Sequence, residues 1–175
     1  MIPALSGCAP GSGLPLLPPA EPGPYRLGPG DVLRITVFGQ KQLSADYRVG
    51  ASDAVDIPLL GPVRAGGRTA GGLARAIAAL LRRRGMLVDP EVAVEVKNYR
   101  PFSILGEVNK PGQYPFEPGM TVLEAVALAG GFTYRAAESE VEVIRVRHGR
   151  ARAFRAPADA LIIPGDVIRV FERHF

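Results

Sequence analysis

Proline and glycine set the scale of everything this chain can build. With 21 glycines and 17 prolines in 175 residues, uninterrupted stretches are short, so the fold must consist of brief strands and short helices joined by tight turns. The same feature disposes of the one long uncharged stretch, Met1 to Ala20. It has the length of a bilayer-spanning helix, but Pro3, Pro10, Pro15, Pro18 and Pro19 forbid a regular helix there. An apolar fraction of 47% rules out wholesale disorder. The single cysteine, Cys8, excludes an internal disulfide framework, and with two histidines a Cys/His zinc site has too few ligands. The formal charge is +4, and of 21 basic residues only Lys41, Lys97 and Lys110 are lysine. Such an arginine excess follows from a GC-rich genome as readily as from a nucleic-acid surface. A nucleic-acid surface would put aromatics among the arginines, and here the five tyrosines and seven phenylalanines are scattered.

Residues 1–24 hold seven prolines and four glycines without periodicity, which predicts a stiff extended tether, with order beginning at Tyr25. Gly28-Pro29-Gly30-Asp31 has the type II turn pattern, Pro fixing φ at the second position and Gly accepting positive φ at the third. Val32, Leu33, Ile35, Val37 and Phe38 then form a strand, and Tyr47–Val49 a second. Asp56 to Val63 reads as extended, with Pro58 and Pro62 restricting it to an edge or a kink beside Gly61. Thr69 caps a helix running to about Arg84, with Leu73, Ile77, Leu80 and Leu81 on one stripe and Gly85 as its stop. Val92, Val94 and Val96 alternate with polar or small residues in a half-buried strand.

From Arg100 a second pattern begins. Phe102 to Val108 is a strand, Lys110-Pro111-Gly112 a turn, and Gln113 to Phe116 the returning partner. Thr121 and Glu124 make a capping box on a short helix whose apolar residues are Val122, Leu123, Val126 and Leu128, and Gly130–Gly131 end it. Val141 to Val146 is a strand with Val141, Val143 and Arg145 on one face. Ala151–Phe154 and a strand after Pro164-Gly165-Asp166 complete the order β-β-α-β-β-β. One helix over a mixed sheet in that order is a β-grasp, an α+β arrangement. At roughly seventy residues its core is marginal alone, so it is expected to pack on the preceding unit. The turn Pro29-Gly30-Asp31-Val32 recurs as Pro164-Gly165-Asp166-Val167, each followed by x-Arg. An Asp after Pro-Gly can bond local backbone amides, so this is a reused turn-into-strand device.

YRLGPGDVLRITVF, IPLLGPVRAGG, the amphipathic helix and DPEVAVEV resemble the polysaccharide biosynthesis/export domain. FSILGEVNKPGQYPFEPGMTVLEAVALAGGF and the closing PGDVIRV resemble the SLBB β-grasp domain that follows it. In this order, over about Tyr25 to Glu172, they resemble outer-membrane polysaccharide export proteins. The expected division is a tether at 1–24, an export domain at 25–99 and an SLBB domain at 100–175, with the small mixed-sheet domain packed on the β-grasp. The resemblance implies a non-enzymatic, homo-oligomeric conduit, a ring in the periplasm or at the outer membrane. Its implied partners are an inner-membrane copolymerase, the glycan itself and a separate outer-membrane pore protein; nucleic acid is not among them. Long members add a second β-grasp unit and a membrane helix, so ending at Phe175 reads as the short branch. Leu5-Ser6-Gly7-Cys8 fits a lipobox, which makes Cys8 the residue to carry lipid in a full-length precursor, although little sequence precedes it.

No catalytic, metal or cofactor site is expected. The chain has no Gly-x-Ser-x-Gly elbow, His-Glu-x-x-His helix or Walker loop, and Gly66-Gly67-Arg68-Thr69 lacks the Lys-Ser/Thr that would make it a phosphate cradle. Glu138, Glu140 and Glu142 read as a solvated strand edge. The second hypothesis is a small-ligand-binding β-grasp lipoprotein that holds, for instance, a corrinoid. His148 at a hairpin tip and His174 at the terminus are poorly placed as axial ligands for it. Arg145, Arg147, Arg150, Arg152 and Arg155 would serve a nucleic-acid surface, a neighbouring subunit or an anionic sugar, the subunit being the favoured reading. The residues that shape the backbone are Gly28, Pro29, Gly30, Asp31, Pro58, Gly61, Gly106, Pro111, Gly112, Gly130, Gly131, Pro164, Gly165 and Asp166.

Overall fold

A computed structural model describes residues 13–19, 23–147 and 149–173. Cys8, His148 and His174 lie outside the described residues. The chain divides into two units, Pro22–Arg100 and Pro101–Phe175, the second including described residues 13–19.

In the first unit, β1 (Val32–Val37) is flanked antiparallel by β2 (Ala45–Arg48) and β5 (Val92–Asn98). Strands β3 (Ala54–Ile57) and β4 (Gly61–Arg64) form a separate hairpin, and α1 (Ala70–Arg83) lies between β4 and β5 in sequence. The register sets Leu33, Ile35 and Val37 opposite Val96, Val94 and Val92, so one face of the sheet is continuously apolar. Leu73, Ile77 and Leu81 of α1 join the same buried cluster, as their spacing predicts. Thr69 Oγ1 caps α1 by accepting from the Gly72 amide. The expectation of an extended edge from Asp56 to Val63 is corrected, because the chain folds back on itself there. Pro58 opens a turn in which the Leu60 amide donates to the Ile57 carbonyl, and Leu59 (φ 66°) and Gly61 (φ 68°) are left-handed. Leu60 plunges into the core while Leu59 is exposed.

The second unit comprises β6 (Phe102–Gly106), β7 (Gly112–Tyr114), α2 (Val122–Leu128), β8 (Val141–Arg147), β9 (Arg150–Ala156) and β10 (Val167–Val170). The sheet order is β7-β6-β10-β8-β9, with β10 parallel to β6 and its other pairs antiparallel. One helix accompanies a mixed five-stranded sheet, so the α+β, β-grasp expectation holds. The capping box at Thr121–Glu124 is present in full, while Gly130 and Gly131 both take positive φ. The apolar stripe of α2 is narrower than expected. Val122, Ala125 and Val126 are buried, while Leu123 and Leu128 are exposed. The reading of Glu138, Glu140 and Glu142 as one solvated strand edge is corrected: Glu142 lies in the interior strand β8 and meets Arg169, Glu140 precedes β8 and meets Arg155, and Glu138, in the loop before it, is the exposed one of the three.

A further correction concerns residues before Tyr25. Leu16 bridges Arg155 in parallel, with the Leu17 amide donating to the Arg155 carbonyl (2.8 Å) and the Arg155 amide to the Pro15 carbonyl (2.9 Å). Leu17 is 7% exposed within the apolar cluster of the second unit. Proline makes this segment extended, as expected, but an extended segment with a free carbonyl and an apolar residue can also cover a sheet edge. Among the described residues no helix is long and apolar enough to cross a membrane.

Candidate functional site

The best-built polar clusters are the two Pro-Gly-Asp turns, and they use the same construction. In the first, the Asp31 amide donates to the Gly28 carbonyl (3.2 Å), closing the turn around Gly30 at φ 95°. In the second, the Asp166 amide donates to the Ile163 carbonyl (3.1 Å) around Gly165 at φ 85°. Each aspartate then turns its carboxylate back onto its own turn, accepting from the Gly28 amide (2.8 Å) or the Ile163 amide (2.9 Å). Both carboxylates are buried, at 0% and 1% exposure, so each requires further donors.

Apart from Tyr25, six residues before Asp31, those donors are distant in sequence. Asp31 accepts from the Arg100 amide (2.8 Å) and the Tyr25 hydroxyl (2.9–3.0 Å), and Arg100 Nη1 lies 3.5 Å from it. Arg100 also donates to the Tyr25 oxygen and lies over the Tyr25 ring, 5.8 Å from its centroid. Burial, first of all, pushes the Tyr25 phenol well above its ordinary value; Asp31 adds to the shift and Arg100 opposes it. A Cβ at Gly28 would meet the Arg100 guanidinium, which would have to shift from its place beside Asp31 and Tyr25. Asp166 accepts two parallel bonds from Arg145, Nε to Oδ1 at 2.9 Å and Nη2 to Oδ2 at 2.7 Å. Arg145 is itself 1% exposed, and its Nη1 has no hydrogen-bond partner among the described residues.

Arg145 lies on the face of Val141 and Val143, as the alternation predicts, but as a buried ion pair. The five hairpin arginines therefore do not make one exposed surface: Arg145 is committed to Asp166 and Arg155 to Glu140. The partners of the two aspartates lacked any local signal. Arg145 is 21 positions from Asp166 and Arg100 is 69 from Asp31.

Of the glycines singled out, Gly106 is the most tightly constrained. It ends β6 at φ 89°, and a Cβ would run into the Val170 carbonyl on the parallel neighbour. Pro111 and Gly112 lead into β7, while Gly130 and Gly131 offer their carbonyls to Asn109 Nδ2 at 2.8 and 3.3 Å.

Neither aspartate is available to a substrate, for each is saturated by donors and shut from solvent. A surface groove of about 500 Å³ is lined by Pro115, Pro118, Met120, Ala127 and Leu128. Its ionisable groups are the exposed Glu117 and Glu124, and Glu124 is bound to Thr121 in the helix cap, which lowers its pKa. Among the described residues no group of three or more His, Cys, Asp or Glu is placed to hold a metal ion. This geometry suits fastening turns to strands.

Residues 19–97 match the family model of the polysaccharide biosynthesis/export protein, and residues 101–154 match that of the SLBB domain. The exopolysaccharide production protein ExoF of Rhizobium meliloti (strain 1021) is 38% identical over 118 residues, covering 61% of this chain and 28% of that protein. The EPS I polysaccharide export outer membrane protein EpsA of Ralstonia solanacearum is 28% identical over 188 residues, covering 88% of this chain and 49% of that protein. Its counterpart in Ralstonia nicotianae (strain ATCC BAA-1114 / GMI1000) is 28% identical, with 91% and 50% covered. The chain thus spans half or less of the length of these relatives. Along most of its length, then, the chain carries a polysaccharide biosynthesis/export domain followed by an SLBB domain, with homology to exopolysaccharide production and export proteins.

Proposed function

We propose that the chain is a component of a capsular polysaccharide or exopolysaccharide export machine, working in the periplasm or at the outer membrane. The observation that carries this reading is the export domain followed directly by the SLBB domain. Its agreement with relatives named for exopolysaccharide production and outer-membrane export supports it. The closed state of the two best-built polar clusters favours a structural role over catalysis, because buried, donor-saturated carboxylates cannot exchange protons with a passing sugar. In this reading several copies assemble with cyclic symmetry and wall a hydrated passage. An inner-membrane copolymerase feeds the glycan, a separate outer-membrane protein completes the pore, and lipid on Cys8 holds the chain to the outer membrane.

Deleting the gene in its host and measuring extracellular and cell-retained glycan tests the proposal. Loss of secreted polysaccharide with recovery on complementation is expected; undiminished secretion overturns it.

A further inference from the structure

Many arginines of the second unit are bonded within it. Arg135 pairs with Glu172, Arg145 with Asp166, Arg155 with Glu140 and Arg169 with Glu142, while Arg173 donates to the Ala136 carbonyl. Arg150 and Arg152 differ. Both are exposed, and neither has a carboxylate or carbonyl partner among the described residues. The β8–β9 register sets Arg152 opposite Arg145 and Arg150 opposite Arg147. Residues directly opposed across strands project from the same face, so four arginines share one side of the hairpin. From Val143 to Phe154 the sequence contains no Asp or Glu. Asp166 offsets Arg145, whereas Arg150 and Arg152 at the outer end of the hairpin meet no carboxylate among the described residues. Along β9 the Cα atoms of Arg150 and Arg152 are about 6.8 Å apart, with Arg147 about 5 Å across.

Like charges opposed across a ladder destabilise it, so an anion at this face would relieve a repulsion built into the hairpin. Planar guanidinium forks match carboxylate and phosphate oxygens in pairs. Two features argue against a lipid surface or a nucleic acid. Val146, the exposed apolar residue near the tip, projects from the opposite face, so arginines and apolar side chain cannot meet one membrane together. Phe154, the aromatic of β9 on the arginine face, packs into the core cluster and offers no stacking platform.

We propose that the outer end of the β8–β9 hairpin, through Arg150 and Arg152, binds the carboxylate groups of an acidic polysaccharide. The proposal rests on the export reading above and names the class of glycan. Exposed guanidinium–carboxylate contacts are individually weak and screened by salt, which suits a chain that must be let go as well as held.

The test uses the full chain with polygalacturonate as an acidic glycan, dextran as a neutral one, and vesicles of phosphatidylglycerol and phosphatidylcholine. Polygalacturonate should bind, less tightly as salt rises, and dextran should not. R150Q/R152Q should weaken binding about tenfold or more, while R75Q/R83Q, which removes the same charge from exposed positions on α1, should leave it unchanged. Unfolding midpoints guard against loss of fold, and R152E alone provides a second variant. Equal losses in both double variants overturn the proposal, as does polygalacturonate binding that R150Q/R152Q leaves intact. Vesicle binding that depends on Arg150 and Arg152, without glycan binding, also overturns it. A wild-type chain that binds no acidic glycan, in a host where its deletion blocks secretion, removes this site but leaves the export reading standing.

Discussion

A carboxylate taken out of water must find donors for its oxygens or lose its charge. Asp31 and Asp166 meet that demand with one amide from their own turn and with groups brought from far along the chain. Arg145 and Asp166 are both 1% exposed, and at that depth removing one charge leaves the other stranded. Asp166→Asn should therefore cost about 3–5 kcal/mol in urea unfolding, and a loss below about 1 kcal/mol would contradict this picture. Tyr25 gives a pH signature. Burial raises its phenol above the ordinary value of 10.0, so the unfolded chain gives up this proton first. Stability from this group is whole below about pH 10 and falls as pH climbs past it. Tyr25→Phe should flatten that alkaline decline in unfolding midpoints; an unchanged slope would remove Tyr25 as its source. Gly106 and Gly131 separate conformation from space. Both have positive φ, but only at Gly106 would a Cβ strike backbone. Gly131→Ala should cost about 1 kcal/mol and Gly106→Ala clearly more.

Among the elements, those encoded by a few adjacent residues are legible in the sequence. The Thr121–Glu124 box is a four-residue code and needs nothing distant; Thr121→Ala should cost about 1–2 kcal/mol. The Pro-Gly-Asp turns were legible for the same reason, but the arginines that complete them were not, because strand register and chain path bring them in. The β3–β4 hairpin escaped notice because its left-handed third position is Leu59 rather than glycine. The docking of Pro15–Leu17 on β9 escaped because a proline-rich segment has no alternation to betray an edge strand. Leu17→Ala measures that docking. Unfolding should show a loss of about 2 kcal/mol if the residue is core, and next to none if the segment hangs free.

For the whole molecule, the element order β-β-α-β-β-β identified the second unit from sequence, because each element is short, turn-bounded and consistent with its neighbours. The family was legible because two sets of turn and helix-end motifs recur in one order. The charge asymmetry of the β8–β9 hairpin was not legible, since a line of arginines in sequence does not say which find carboxylates. It took the fold to bury Arg145, neutralise Arg155 and leave Arg150 and Arg152 without a carboxylate among the described residues. Asp31 and Asp166 are enclosed on every side and fasten their turns to distant strands, which suits the structural role proposed for the chain.

The most direct measurement is therefore the amount and covalent structure of the glycan retained by a deletion strain. Linkage and repeat-unit analysis by mass spectrometry should find a polymer of normal composition, trapped inside the cell envelope and released when the gene is restored. A retained or secreted polymer with an altered repeat unit would mean that the chain performs chemistry on the sugar, and would contradict the conduit.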